Sequence, residues 1–298
     1  MLDRGKEHMV RTFARREKKD MPAASTAPSQ RSRWIRGQAR LAEGKYLVLA
    51  QDQAEEYDVC GAEFWKRLPF RLAGLIHTDS RGVKTFRLQD AVGFVRVYGL
   101  LRHGPAQLRN GNGRESLDDW RREAEKLRHV LDLYRIREEA LHTKSIKRVN
   151  AVRECVSVLQ EVDGSRVDIP ENDRECLEYA SDRLSEIIDR EREGCRQHLI
   201  PSHRLPWVGG WQVELDDFVF IKEFPNLLAA AYDELALHVA TKAEVLDCEE
   251  CGRPFYREHG NQTTYCSRTC GNRLRQRRYR ENQKAKQSDG QETLEAIS

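Results

Sequence analysis

Cys248-Glu249-Glu250-Cys251 is followed, after fourteen residues, by Cys266-Ser267-Arg268-Thr269-Cys270. Two cysteine pairs at such spacings are the pattern of a tetrahedral thiolate site for zinc, because each pair sits on a tight turn that aims both sulfurs at one metal. A segment of about forty residues builds little hydrophobic core of its own, and a structural metal takes the place of that core. The spacing therefore predicts one structural Zn2+ held by Cys248, Cys251, Cys266 and Cys270. A site filled by four thiolates leaves no position for an activated water, so it is expected to be structural and not catalytic.

The residues around the pairs predict the local fold. Gly252 and Pro254 turn the chain after Cys251. Phe255-Tyr256 suits a strand, His259-Gly260-Asn261 a turn, and Thr263-Thr264-Tyr265 a returning strand. Ser267 is placed to cap a helix whose first turn carries Cys270. Knuckle, hairpin and ligand-bearing helix together describe a treble-clef-like finger over residues 245–286. His259 is the rival ligand, but it would leave one thiol of the second pair over.

Beyond Cys270 the chain reads Gly271-Asn272-Arg273-Leu274-Arg275-Gln276-Arg277-Arg278-Tyr279-Arg280. At 100° per residue Arg273, Arg277, Arg280 and Lys284 form one stripe of a helix, while Arg275 and Arg278 project elsewhere. Leu274 falls beside Cys270 and is expected to pack on the finger. Guanidinium groups bind phosphate through planar paired donors, and some can read guanine in the major groove. Asn272 joins them as a candidate base contact, helix cap or orienter of a thiolate. Gly271 allows a close approach of backbone to metal or phosphate.

The cysteine spacing joined to Cys270-Gly271-Asn272-Arg273 and an Arg-rich helix resembles the CGNR zinc-finger family of bacterial proteins, over about residues 245–284. The resemblance implies a DNA-binding transcription regulator. This chain departs from the family's usual finger. It has Arg257-Glu258-His259-Gly260-Asn261 where an Asp-x-Ser-Arg stretch is usual, and Tyr265 where a Trp precedes the third cysteine. DNA is favoured over RNA through this resemblance, and RNA remains the alternative partner, as does a protein-interaction module with a basic tail.

Charge is distributed unevenly. Residues 1–40 hold 11 Lys/Arg against 4 Asp/Glu, residues 268–286 hold 8 against 1, and residues 41–267 hold 32 against 40. Both basic ends suit a polyanion that the centre would repel. The run 268–286 is read as lacking compensating acids. No apolar run is long enough to span a membrane and no export signal opens the chain, so a cytoplasmic protein is expected, with Cys60, Cys155, Cys176 and Cys195 reduced.

The expected fold class is mainly α with minor α+β content, a helical body followed by the finger. Residues 1–33 read as a basic disordered tail, 34–244 as the body with a sub-boundary near 105–115, and 287–298 as a flexible tail. Within the body, Tyr46–Ala50 reads as a strand or a buried helical turn, and Lys84–Leu88 as a strand. A helix capped by Asp90 should end at Gly104-Pro105. Helices are expected from Ser116, from Ile146 to Leu159, from Pro170–Asp173 to near Pro201, and from Asn226 to Thr241, with a strand at Phe218–Lys222. No nucleophile elbow, phosphate loop, nuclease carboxylate set or paired metal histidines stand out, so no enzyme activity is expected. The body is the candidate surface for a homodimer.

Overall fold

The computed structural model describes residues 33–58, 66–78, 83–103, 113–143, 145–165, 167–201, 218–257 and 264–295. It is mainly α, with seven helices and four small sheets among these residues. Residues 1–32 of the tail expected at 1–33 and His259 lie outside them, whereas Arg33 belongs to the first strand.

The body opens with β structure that the charge-rich sequence conceals. Strands β1 (Arg33–Ala42) and β2 (Tyr46–Asp58) form a long antiparallel hairpin, with a register shift between Gly37 and Ala39. Trp34, Ile35 and Ala39 of β1 and Leu47 and Leu49 of β2 are buried. Helix α1 (Leu68–Ala73) leads into the small hairpin of β3 (Ile76–Thr78) and β4 (Lys84–Phe86). Helix α2 (Leu88–Tyr98) begins before Asp90, which sits in its first turn and is not its cap. It stops at Gly99, not at Gly104. Gly99 has φ +91°, and a Cβ there would lie 2.2 Å from the Ile35 carbonyl oxygen of β1.

Strand β5 (Arg114–Ser116) adds to β2, giving a three-stranded sheet in the order β1-β2-β5. Its Glu115 is a buried carboxylate that accepts from the backbone N–H groups of Leu101, Arg102 and His103, and from the indole N–H of Trp120. Such a carboxylate is fully satisfied, and it fixes the end of the α2 segment to the start of the next helix.

Helix α3 (Leu117–Thr143) starts where the Ser116 hydroxyl accepts from the Asp118 N–H at 3.2 Å. It packs on α4 (Ile146–Asp163) and α5 (Asp173–Glu191). Asn172 caps α5 through the N–H groups of Arg174 and Glu175, but α5 ends at Glu191, well short of Pro201. The chain turns at Gly194 (φ +84°) and forms β6 (Arg196–Pro201), paired with β7 (Phe218–Glu223). Asn226 then caps α6 (Leu227–Ala240), a short apolar helix buried from Leu227 to Leu235. A single cluster of buried residues runs from Trp34 to Val245, on both sides of 105–115.

Candidate metal centre and basic helix

The first cysteine pair is the turn of a hairpin. Strands β8 (Val245–Asp247) and β9 (Pro254–Tyr256) pair antiparallel, Val245 with Tyr256 and Asp247 with Pro254. The Cys248 N–H donates to the Arg253 carbonyl at 2.9 Å and the Gly252 N–H to the Cys248 carbonyl at 2.8 Å. Gly252 has φ +65°, a left-handed turn that glycine adopts without steric cost. Sequence reading placed the hairpin between the two cysteine pairs. Phe255 instead pairs backward with Leu246, and Thr264 and Tyr265 are not in a strand.

The second pair belongs to helix α7 (Arg268–Glu295) and the residues that lead into it. The Ser267 hydroxyl accepts from the Cys270 N–H at 3.2 Å, the cap expected there. Leu274 is buried beneath the helix, also as expected. The helix continues through residues 287–295, where a flexible tail was expected. Gln287, Gln291, Glu292, Leu294 and Glu295 in that stretch are good helix formers, and the helix runs across the weaker Ser288, Asp289 and Gly290. Gly271 has a steric reason to lack a side chain. A Cβ there would lie 2.7 Å from the ring of Tyr265, which lies across the first turn of α7.

The four sulfurs of Cys248, Cys251, Cys266 and Cys270 all lie within 4.8 Å of one another. Cys251 and Cys266 are 3.6 Å apart, Cys266 and Cys270 3.7 Å. Metal–sulfur bonds of about 2.3 Å in a tetrahedron put sulfurs roughly 3.8 Å apart. A disulfide requires about 2.05 Å. The arrangement thus fits a four-coordinate metal and no disulfide. Cys248 and Cys270 are buried and the other two half-buried. The neighbouring Cys266 thiol and burial push the Cys251 thiol well above its ordinary range, and burial raises Cys270. Four clustered sulfurs ionise together only with a cation among them, which is the chemistry of a structural metal. Cys155, Cys176 and Cys195 are free thiols distributed over the body.

The hairpin is seated on the body. Arg128, buried in the middle of α3, reaches Asp247 at 2.8 Å, the Gly252 carbonyl at 3.1 Å and Asp132 at 3.2 Å. Burial opposes its charge, and the carboxylates of Asp132 and Asp247 outweigh that and raise its pKa. Tyr134 donates to the Ala243 carbonyl at 2.9 Å. Arg253 pairs with Asp90 of α2. The Tyr256 ring sits between Phe70 of α1 and His238 of α6, with centroids 5.4 and 4.5 Å away.

The arginines after Cys270 on α7 divide into three groups. Arg277 pairs with Glu250 at 2.9 Å and Arg278 with Glu249 at 2.8 Å. These are the two residues between Cys248 and Cys251, so compensating acids are present after all, brought from the knuckle by the fold. Arg275 is turned back on its own helix, donating to the Gly271 carbonyl and to the Asn272 side chain. Asn272 is thereby engaged with Arg275 and not with a thiolate. Arg273 and Arg280 are exposed, with no ion pair among the described residues. Lys284 lies on α7, and its side chain is outside the described residues. Sequence reading missed Glu249, Glu250, Arg128 and Asp247. The first two were visible as acids inside a cysteine knuckle, whereas the Arg128–Asp247 pair joins segments too distant for any local signal.

No helix among the described residues is long and apolar enough to cross a membrane. No family model matches the chain, and no curated protein or solved structure matches it.

Proposed function

We propose that this chain is a DNA-binding regulator in which one Zn2+, held by Cys248, Cys251, Cys266 and Cys270, fixes the root of a basic recognition helix. The zinc assignment rests on four thiolates at tetrahedral separations, the ligand set and geometry that zinc favours in structural sites. The resemblance to the CGNR fingers supports DNA as the polyanion. A structural Zn2+ supplies the local folding energy that the small knuckle and the first turn of α7 need. The chain's own residues do the rest.

One observation carries this reading. Helix α7 leaves the metal centre with Arg273 and Arg280 exposed and unpaired among the described residues, in a segment with 8 basic and 1 acidic residues. Two guanidinium groups seven residues apart lie nearly two helical turns apart on the same stripe, about 10.5 Å along the axis. That spacing suits contacts to phosphates along one groove wall. Phosphate contacts give affinity and register, not sequence choice.

The test is the double variant Arg273→Gln/Arg280→Gln. Its binding to duplex DNA should weaken, and the slope of log K against log salt should flatten by up to about 1.8, roughly 0.9 for each phosphate that the variant leaves unneutralised. Metal content and melting temperature should stay as in the parent. An unchanged slope removes α7 as the binding surface. Stronger competition by RNA than by duplex DNA of the same length would replace DNA by RNA.

A further inference from the structure

A cavity of about 380 Å³ opens between α1 and α2, directly beside the metal knuckle. Leu75, Phe94, Val97 and the ring of Tyr98 give it apolar walls, and Arg71 and Arg253 bring two guanidinium groups to it. Its volume falls in the range of about 300–1,000 Å³ typical of small-molecule sites.

Two details indicate a site and not a packing defect. Gly93 lies in the middle of α2, yet an added Cβ would meet nothing within 4 Å. A glycine inside a helix is destabilising relative to alanine. Here neither a turn nor a close neighbour requires it, and its missing side chain leaves open space on the cavity wall. The second detail is Arg253. Its Nη2 donates to Asp90, but its Nε is buried with no hydrogen-bond partner among the described residues. A buried donor left unpaired is destabilising, so the placement of Arg253 at this cavity is not explained by the pairing of its own donors.

The charges select the ligand. Asp90 is the one acid among the lining residues, and it is already shared by Arg253 and, at 3.9 Å, Arg87. A cationic ligand would face two guanidinium groups, and a neutral apolar one would offer the Arg71 guanidinium no acceptor. A planar carboxylate matches the guanidinium fork.

We propose that this cavity binds a small carboxylic acid with an apolar body, the carboxylate held by Arg71 and Arg253 and the body lying over Phe94 and Tyr98 along the bare backbone of Gly93. Arg253 follows Cys251 by two residues and its carbonyl accepts from the Cys248 N–H. A ligand that draws Arg253 from Asp90 therefore acts on a residue of the knuckle itself. The site stands independently of nucleic-acid binding, and its test uses no nucleic acid.

The experiment is isothermal titration of the full-length, metal-loaded protein with benzoate, phenylacetate and octanoate, with the corresponding amides and phenyl phosphate as controls. At least one acid should bind saturably with Kd below about 1 mM, and its amide at least about tenfold more weakly. Gly93→Leu should abolish that binding while melting no lower than the parent, because the new side chain enters open space and favours the helix. Arg71→Gln should weaken the acid without affecting metal content. Absence of binding by all three acids, equal binding of the amides, or full affinity in Gly93→Leu would overturn the site. Tighter binding of phenyl phosphate than of benzoate would overturn the carboxylate assignment.

Discussion

The guanidinium of Arg128 lies 2.8 Å from the carboxylate of Asp247, the residue immediately before the candidate metal ligand Cys248. Arg128 is 5% exposed and uses all three of its nitrogens, on Asp247, the Gly252 carbonyl and Asp132. A buried arginine of this kind acts through geometry. It fixes both ends of the knuckle turn relative to α3, so half of the metal site is set by the body. Arg128→Met should lower stability to urea by about 2–4 kcal/mol, since Asp132 and Asp247 lose their counter-charge in a partly buried setting. The same variant should bind metal more weakly. Arg128→Lys keeps the charge but cannot bridge three acceptors, and should fall between the two. A parent-like metal affinity in Arg128→Met would show that the body does not organise the knuckle.

Metal removal should act unequally on the two halves of the site. Cys248 and Cys251 belong to a hairpin held by Arg128, Arg253 and the Tyr256 ring stack, whereas among the described residues Cys266 and Cys270 are joined to it by the thiol cluster, the backbone hydrogen bond from Glu249 to Thr264, and surface ion pairs. One metal per chain is expected, and none in a Cys248→Ser/Cys266→Ser double variant. On chelation, amide exchange of Leu246 and Phe255 should stay slow while that of residues 271–280 accelerates. Equal loss of protection in both segments would mean that the finger folds as an independent unit, as its sequence alone suggests.

Glu249 and Glu250 should restrain the basic helix. They engage Arg278 and Arg277, which are 64% and 50% exposed, so each ion pair contributes little to stability. Their effect on the field around α7 is larger, because they stand where an approaching phosphate would. Glu249→Gln/Glu250→Gln should tighten nucleic-acid binding and steepen the salt slope by up to about 1.8 if both freed arginines contact phosphate. Unchanged affinity and slope would place Arg277 and Arg278 away from the binding face.

What the sequence disclosed follows from the range of the forces involved. Metal ligation imposes cysteine spacing, and a helix cap is satisfied within three residues, so the Cys248–Cys270 set and the cap at Ser267 were readable, as were the helix starts near Asp173 and Asn226 without their capping residues. Of the β1–β2 hairpin the sequence offers only Tyr46–Ala50 as a strand, with a buried helical turn as the rival, and β1 is not readable at all, because Arg33, Arg36 and Arg40 are interspersed with Trp34, Ile35 and Ala39 and give no clean period of two. Its burial depends on a partner strand and on Gly99 passing beneath Trp34. The same holds at the site. The stripe Arg273, Arg277, Arg280 is a property of one helix and was legible, but its partial neutralisation by the knuckle acids depends on how the metal folds one segment against another.

The ring of His129 supplies the last test, through pH. Burial, with the Lys84 ammonium 3.3 Å from its Nδ1, depresses its pKa to about 4, against a weaker opposing effect of Asp132 and a further lowering by Arg128. In the unfolded chain the value is about 6.5. The folded pKa is the lower one, so the unfolded state gains its proton first as pH falls. His129 therefore leaves stability undiminished above about pH 6.5 and removes it progressively between there and about pH 4. Discounted for the partial exposure of the ring, the loss between pH 7 and pH 5 should be on the order of 1–2 kcal/mol. Thiolate protonation releases metal over an overlapping range and would mask the effect in the parent alone. The informative quantity is the difference between the parent and His129→Gln, both measured by urea unfolding at pH 7 and pH 5 with metal in excess. The metal contribution is common to both proteins and cancels, leaving the parent losing more stability than the variant. Parallel losses in the two proteins would show that His129 takes up its proton in the folded state as readily as in the unfolded chain, and that Lys84 does not hold it neutral.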